Sequence, residues 1–139
     1  MKYKLEIISI IMKTISLLSF VIFLTFFVMF LIYLKSSNLF LHSFIILNFL
    51  IGLILTIIGW HLYFDSKLFF YLGKNQESTY YIDNLIESIF AKKIIQNRTI
   101  DDRIKGSIKL TKKFIYIFIF HIIIFIIIIL YFLLLMFFN

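Results

Sequence analysis

Residues 39–65 are LFLHSFIILNFLIGLILTIIGWHLYFD, an apolar run that ends in a short group of polar residues. The first 26 of them, Leu39–Phe64, include no charged side chain. About 20 residues of α-helix cross the hydrocarbon core of a bilayer, so this run is long enough to span one. The polar residues that follow it mark one boundary of the membrane.

Two further runs of the same character lie on either side of this one. Thr14–Leu34 and Phe114–Phe138 carry no charge over 21 and 25 residues. Hydrophobic residues make up 63% of the chain, too many for the surface of a soluble domain. The runs lack the alternation of barrel strands, and a helix satisfies its own backbone groups in lipid. The sequence therefore predicts an all-α membrane protein, a single membrane domain over residues 1–139, with transmembrane helices at about 14–34, 39–64 and 114–138.

The distribution of basic residues predicts how these spans are oriented. The turn Lys35–Asn38 has four residues, which makes the first two spans antiparallel neighbours. Of the 14 Lys and Arg residues, 13 lie before the first span or in residues 65–113, and only Lys35 lies on the other side. Basic residues concentrate on the cytoplasmic or matrix side of a membrane. We expect the N-terminus and the long connection inside and the C-terminus outside.

The connection between the second and third spans, residues 65–113, is too long for a plain turn, and we expect it to be partly helical. One helix is predicted at about 80–95 from its apolar face, and another at about 99–113, where Thr99-x-x-Asp102 has the pattern of a capping box. The connection has ten basic and six acidic residues, a net charge of +4. This charge favours anionic lipid headgroups or an acidic partner. Its basic residues are not interleaved with aromatic ones, so no nucleic-acid surface is predicted.

Three histidines lie in or beside the spans, and imidazole is a common axial ligand of haem. His42 and His61 are 19 residues apart on one helix, about 28 Å at the standard rise, so they cannot serve one metal ion. His61 and His121, counted from the inner boundary, differ in depth by roughly 6 Å, which leaves a shared haem site open. The alternative is that they are solvated or hydrogen-bonded histidines near the interface.

Few other polar groups lie within the spans. Asn48 is deep in the second span, where its amide needs a partner in another helix. No Asp, Glu, Lys or Arg lies inside a span, which argues against an ion or proton path, and the chain has no cysteine. The chain also has no phosphate-binding loop, no zinc-binding pattern and no Ser-His-Asp set, so we predict no catalytic residue and no metal site.

Four polar residues are predicted to meet at the inner boundary, where the helical hairpin returns the chain to its starting side. They are Ser9, Lys13, His61 and Asp65. A quinone headgroup needs hydrogen-bond donors of this kind at the edge of an apolar pocket. The alternative is that Lys13 extends to the lipid headgroups and Asp65 is an ordinary helix-end residue.

Two stretches at this boundary are Ser9-Ile-Ile-Met-Lys13 and Gly59-Trp-His-Leu-Tyr-Phe-Asp65. They resemble motifs of the cytochrome-b-type membrane anchor of succinate dehydrogenase, also called succinate:quinone reductase. The first is similar to the family's S-x-x-H-R, with Met and Lys in place of His and Arg. The second is similar to the end of its H-x-x-x-G-x-R-H-L-x-x-D. The resemblance covers Ser9–Asp65, and Ile54 stands where the family has its haem-ligating His.

The resemblance implies a non-catalytic anchor subunit that helps to form a quinone site and tethers flavin and iron–sulfur subunits. Its cofactor would be ubiquinone, with Ser9, Lys13, His61 and Asp65 around the headgroup. Because of Ile54, the resemblance does not imply haem b, and His61 and His121 remain the haem-ligand candidates. The alternative function is a structural subunit of another inner-membrane respiratory assembly, such as an oxidase, complex I or ATP synthase.

Residue usage bears on where the protein is made. Phe, Tyr, Met, Ile, Asn and Lys, whose codons are rich in A and T, supply 80 of the 139 residues. Such usage is typical of AT-rich genomes, which include mitochondrial and some bacterial ones. We therefore expect the mitochondrial inner membrane, with a bacterial inner membrane as the alternative.

Overall fold

The computed structural model describes residues 2–74 and 100–138, which form three α-helices. The helices are α1, Lys2–Lys35; α2, Leu39–Lys74; and α3, Ile100–Phe138. Each of them contains a segment long and apolar enough to cross a membrane. The prediction of a helical chain with three candidate spans is confirmed for these residues.

The helices extend well past the apolar runs. α2 continues beyond Phe64 to Lys74, and α3 already begins at Ile100, ahead of Phe114. The chain contains no proline, so nothing in these stretches removes a backbone donor and ends a helix early. Residues 65–74 and 100–113 of the connection are therefore helical continuations of the spans. The helix expected at 80–95 lies outside the described residues.

A short turn reverses the chain between α1 and α2. Oδ1 of Asn38 accepts a hydrogen bond from the backbone N–H of Leu41, at 3.1 Å, and so caps the start of α2. The backbone N–H of Ser36 donates to the carbonyl of Ile32 at the end of α1, at 3.0 Å. Nε2 of His42 lies 2.7 Å from the carbonyl oxygen of Ser36; since a carbonyl only accepts, this nitrogen carries the hydrogen. These bonds satisfy helix-end groups and hold the hairpin closed.

α1 and α2 pack against each other through residues spaced alternately three and four apart, which we call the α1–α2 seam. All of these residues are buried or half-buried. A seven-residue repeat of this kind is typical of two helices that wind around each other with a left-handed twist. The seam comprises Leu5, Ile8, Met12, Ile15, Ser19, Ile22, Phe26 and Met29 of α1, and Ile45, Asn48, Gly52, Leu55, Gly59, Leu62, Ser66 and Phe69 of α2.

Two glycines bring the backbones of this pair close together. A Cβ atom built on Gly59 would collide with the hydroxyl of Ser19, and one built on Gly52 would collide with the ring of Phe26. In lipid the hydrophobic effect does not drive helices together, so close van der Waals contact at small residues carries much of the association. The seam therefore depends on the missing side chains at these two positions.

α3 packs chiefly against α2 and runs antiparallel to it. Three contacts set the register between these helices. From the end with most of the charged residues toward the middle of the bundle, these contacts join Ser107 to Asp65, Phe114 to Gly59 and His121 to Asn48. The buried core continues past the apolar runs at the end of the bundle that carries most of the charged residues, where all three helices contribute to one cluster. This cluster contains Leu5, Ile8, Met12, Phe69, Leu72 and Ile104.

Enlarging Gly59 should open the α1–α2 seam. We expect Gly59→Leu to lower the free energy of unfolding by about 1–3 kcal/mol, because the new side chain overpacks the contact with Ser19. Gly106 is the matched control, since a Cβ atom there meets nothing within 4 Å. Steric trapping in bicelles measures both variants. A loss of similar size in Gly106→Leu would show that the seam is not the cause.

Candidate functional site

The two cavities that the described residues line include only one of the four residues predicted for the inner boundary, Asp65. Ser9 is buried in the α1–α2 seam, where its hydroxyl donates to the carbonyl of Ser66 at 2.8 Å. Asp65 is half-buried on the side of α2 that faces α3, and it accepts a short hydrogen bond from Ser107. Lys13 and His61 are exposed.

The geometry of α2 explains this separation. Successive residues of an α-helix are about 100° apart around its axis, since a turn takes 3.6 residues. Ser66 therefore faces α1 while the preceding residue, Asp65, faces α3. A cavity of about 170 Å³ lies beside Asp65 and is also lined by Arg103 and Ser107. Ser9, Lys13 and His61 do not line it.

A larger groove lies between α1 and α2, at a similar depth, and we call it the α1–α2 groove. Its volume is about 520 Å³. It is open on one side, and the walls are mainly apolar, with a few polar groups. Its lining residues are Ser16, Leu17, Ser19, Gly59, Trp60, Tyr63, Phe64 and Lys67.

The polar groups of the groove are few and differ in availability. The hydroxyl of Ser16 donates to the carbonyl of Lys13, at 2.7 Å, within its own helix. The hydroxyl of Ser19 is buried beside Gly59 and has no hydrogen-bond partner among the described residues. Nζ of Lys67 lies 5.5 Å from the centre of the Tyr63 ring, within the range of a cation–π contact. The groove thus has an ammonium group beside apolar walls and an unpaired hydroxyl that is buried against Gly59.

This arrangement suits an amphiphile with a polar head. Pockets for small ligands commonly have volumes of about 300–1,000 Å³, apolar walls and a small number of placed polar groups. An unused donor such as the Ser19 hydroxyl pairs with a carbonyl or other acceptor. The described groups support binding of a ring or tail with a hydrogen-bond acceptor.

A second polar cluster joins all three helices deep in the bundle. Thr25 donates its hydroxyl to the carbonyl of Ile22, at 2.7 Å, and lies 3.0 Å from Nε2 of His121. Because the threonine hydrogen is already used, Nε2 carries a hydrogen and donates to Thr25. The amide of Asn48 donates to the carbonyl of His121 at 3.1 Å. Asn48 and His121 are both 0% exposed, and the prediction that Asn48 finds a partner in another helix is confirmed.

This cluster also fixes the depth of His121. His121 contacts Asn48, which lies 13 residues from His61 along α2, a distance of about 20 Å at the standard rise. The estimate of roughly 6 Å from the apolar boundaries is too small, because α3 is shifted along α2 so that Phe114 lies beside Gly59, and even this register gives about 14 Å. His61 and His121 are too far apart to share one haem. Within residues 2–74 and 100–138, no three His, Cys, Asp or Glu side chains form a metal-binding group.

Sequence reasoning did not identify the groove residues Ser19, Tyr63 and Lys67. A signal was present in the sequence, since Gly52, Gly59 and Ser66 follow each other at intervals of seven residues. Such spacing indicates a close helix contact, and a glycine in it leaves space beside its neighbours. Which flanking residues line that space depends on the rotation of both helices, which the sequence alone does not give.

The amide of Asn48 should contribute measurably to helix association. We expect Asn48→Leu to lower the free energy of unfolding by about 0.6 kcal/mol, and by at most about 1.7 kcal/mol, the range for interhelical hydrogen bonds in membranes. Thr56→Val is the control, because the Thr56 hydroxyl bonds the carbonyl of Gly52 in its own helix. SDS titration of both variants gives the comparison, and equal losses would contradict an interhelical role for Asn48.

Comparison of the chain with protein-family models, curated proteins and solved structures finds no match.

Proposed function

We propose that this chain is a membrane anchor subunit of a respiratory complex of the succinate:quinone reductase type, and that it binds the quinone headgroup in the α1–α2 groove. The chain itself is not catalytic in this proposal. Partner subunits with flavin and iron–sulfur centres supply the electrons. The observation that carries the proposal is the groove, which combines apolar walls with the Ser19 hydroxyl and the Lys67 ammonium group.

Quinone chemistry matches these groups. A quinone has a flat apolar ring with two carbonyl oxygens, which accept hydrogen bonds, and an apolar tail. Trp60 and Phe64 provide apolar surface for the ring, and Ser19 and Lys67 are donors for the carbonyl oxygens. A charged donor to a carbonyl contributes about 1.5–3 kcal/mol when the pair is shielded from water.

The donors in this proposal differ from those that the family resemblance implies. The hydrogen of the Ser9 hydroxyl goes to the carbonyl of Ser66, and Asp65 is bonded by Ser107. Lys13 and His61 are exposed and do not line the groove. In this proposal Ser19 and Lys67, instead of those four residues, donate hydrogen bonds to the quinone carbonyl oxygens.

The residues present do not fit a haem. Nε2 of His121, the atom that would coordinate the iron, is 3.0 Å from Thr25 in a fully buried position. His61 is exposed and about 20 Å away along the bundle. No step of the proposed function therefore involves haem.

The proposed orientation follows from charge. With 13 of 14 basic residues on one side, the N-terminus and the connection between α2 and α3 lie in the matrix or cytoplasm, and the C-terminus lies outside. The groove then opens near the inner surface, where partner subunits with redox centres would dock. The membrane in this proposal is the mitochondrial inner membrane or its bacterial counterpart.

A second candidate function is a structural subunit of another inner-membrane respiratory assembly. The observation that favours it is the exposed apolar surface on all three helices, which neighbouring transmembrane subunits would cover as well as lipid. In that case the groove would hold a lipid chain or a partner's side chain and would show no preference for quinones.

Trp60 allows a direct test, because it is the chain's only tryptophan and lines the groove. Decylubiquinone added to the full chain in nanodiscs should quench its fluorescence with saturation. Lys67→Gln should raise the apparent Kd by roughly 10- to 150-fold, the equivalent of losing a charged donor. Lys35→Gln removes the same charge at the other end of the helix pair and should leave the Kd unchanged.

Quenching that rises without saturation, and equally in the two variants, would contradict quinone binding and leave the structural-subunit function ahead. Ser19→Ala adds a second probe of the groove. It should weaken quinone binding while leaving the hairpin closed, because the serine hydroxyl bonds no other described residue.

A further inference from the structure

Lysines at the start of the third apolar run lie deeper along the bundle than the sequence indicates. Phe114 packs beside Gly59, whereas α2 stays uncharged as far as Asp65, six residues farther on. At 1.5 Å per residue, Phe114 is therefore about 9 Å and Lys113 about 7.5 Å from the level of Asp65, beside the uncharged part of α2. Ser19 of α1, at the same level, also belongs to an uncharged run.

These lysines have no charged partner in the described part of the chain. Lys109, Lys112 and Lys113 are exposed on the outward face of α3. None of them forms an ion pair with a carboxylate of residues 2–74 or 100–138, and Asp65 is bonded by Ser107. An ammonium group at the edge of a hydrocarbon layer is costly unless it reaches the headgroups or meets an anion.

The same face of α3 continues as an apolar surface. Lys109, Lys112 and Lys113 are followed on the same face by Tyr116, which is 74% exposed. At the spacing of three and four residues the exposed side chains beyond it are all apolar. They are Ile119, Phe120, Ile123, Ile126, Ile127 and Leu130.

We propose that this face of α3 binds an anionic phospholipid, with its phosphate on Lys109, Lys112 and Lys113 and an acyl chain along the apolar surface from Ile119 to Leu130. Basic side chains close to the membrane attract anionic lipids, and here the register of α3 on α2 places them where no carboxylate of the described chain is available. The long lysine stems reach the phosphate while their methylene groups stay against the lipid. The site is separate from the α1–α2 groove and does not depend on quinone binding.

A phospholipid fits this face better than an acidic protein segment. The basic and apolar parts follow each other along one outward face, which matches a headgroup joined to a tail. A soluble acidic segment would meet the lysines but would leave the apolar part uncovered. This face also adjoins the exposed apolar surface of α3. Lipid covers that surface whichever way the chain is oriented in the membrane.

The test uses the full chain in mild detergent with phosphatidylglycerol as the probe and an excess of phosphatidylcholine as competitor. Native mass spectrometry gives the apparent Kd for the bound lipid. Lys112→Gln with Lys113→Gln should weaken binding about 25-fold, from roughly fivefold for each lysine. Lys2→Gln with Lys4→Gln removes the same charge elsewhere and should change the Kd less than twofold.

The conservative pair Lys112→Arg with Lys113→Arg keeps the charge and should bind as the unmodified chain does. Inorganic phosphate at millimolar concentration should not displace the lipid, because it lacks the acyl chain. Equal weakening in both glutamine pairs would overturn the proposal in favour of a net-charge effect. Unchanged binding in both pairs would overturn it, because the lipid would then bind elsewhere on the chain, and displacement by inorganic phosphate would overturn the acyl-chain contact.

Discussion

The close approach of α1 and α2 at Gly59 determines both how the three helices pack and where the candidate ligand site lies. Because Gly59 has no side chain, Ser19 packs against the backbone of α2, and the ring of Phe114 from α3 lies on the same residue. All three helices thus meet at one glycine. Gly59 and Ser19 also line the α1–α2 groove, so the packing of the bundle and its candidate ligand site share these two residues.

A second constraint acts deeper in the bundle, where Thr25, Asn48 and His121 join the three helices through polar groups. Polar groups in hydrocarbon are unfavourable unless they pair with each other, so they specify which helix faces align. Together with the glycine contact, they fix the offset of α3 along α2. That offset places Lys112 and Lys113 at the level of uncharged segments of α1 and α2. It also separates His121 from His61.

The sequence predicted the features that depend on composition along one helix. Uncharged runs located the three helices, the four-residue turn gave the hairpin, and the depth of Asn48 required a partner in another helix. Features that depend on how helices meet were not predictable in the same way. The end of an apolar run gave the wrong depth for His121, because run ends need not be level in adjacent helices. Likewise, Ser9 and Asp65 lie at similar depth but face different neighbours.

Disulfide formation between Ser19→Cys and Gly59→Cys tests the glycine contact most directly, since the native chain has no cysteine. A Cβ atom built on Gly59 would lie 3.5 Å from Cβ of Ser19, and disulfides need about 3.5–4.5 Å between these atoms. Oxidation in native membranes should link this pair nearly completely. Phe20→Cys with Gly59→Cys, whose first position is exposed, should stay reduced. Equal cross-linking of both pairs, or none in the first, would contradict the close contact of α1 and α2.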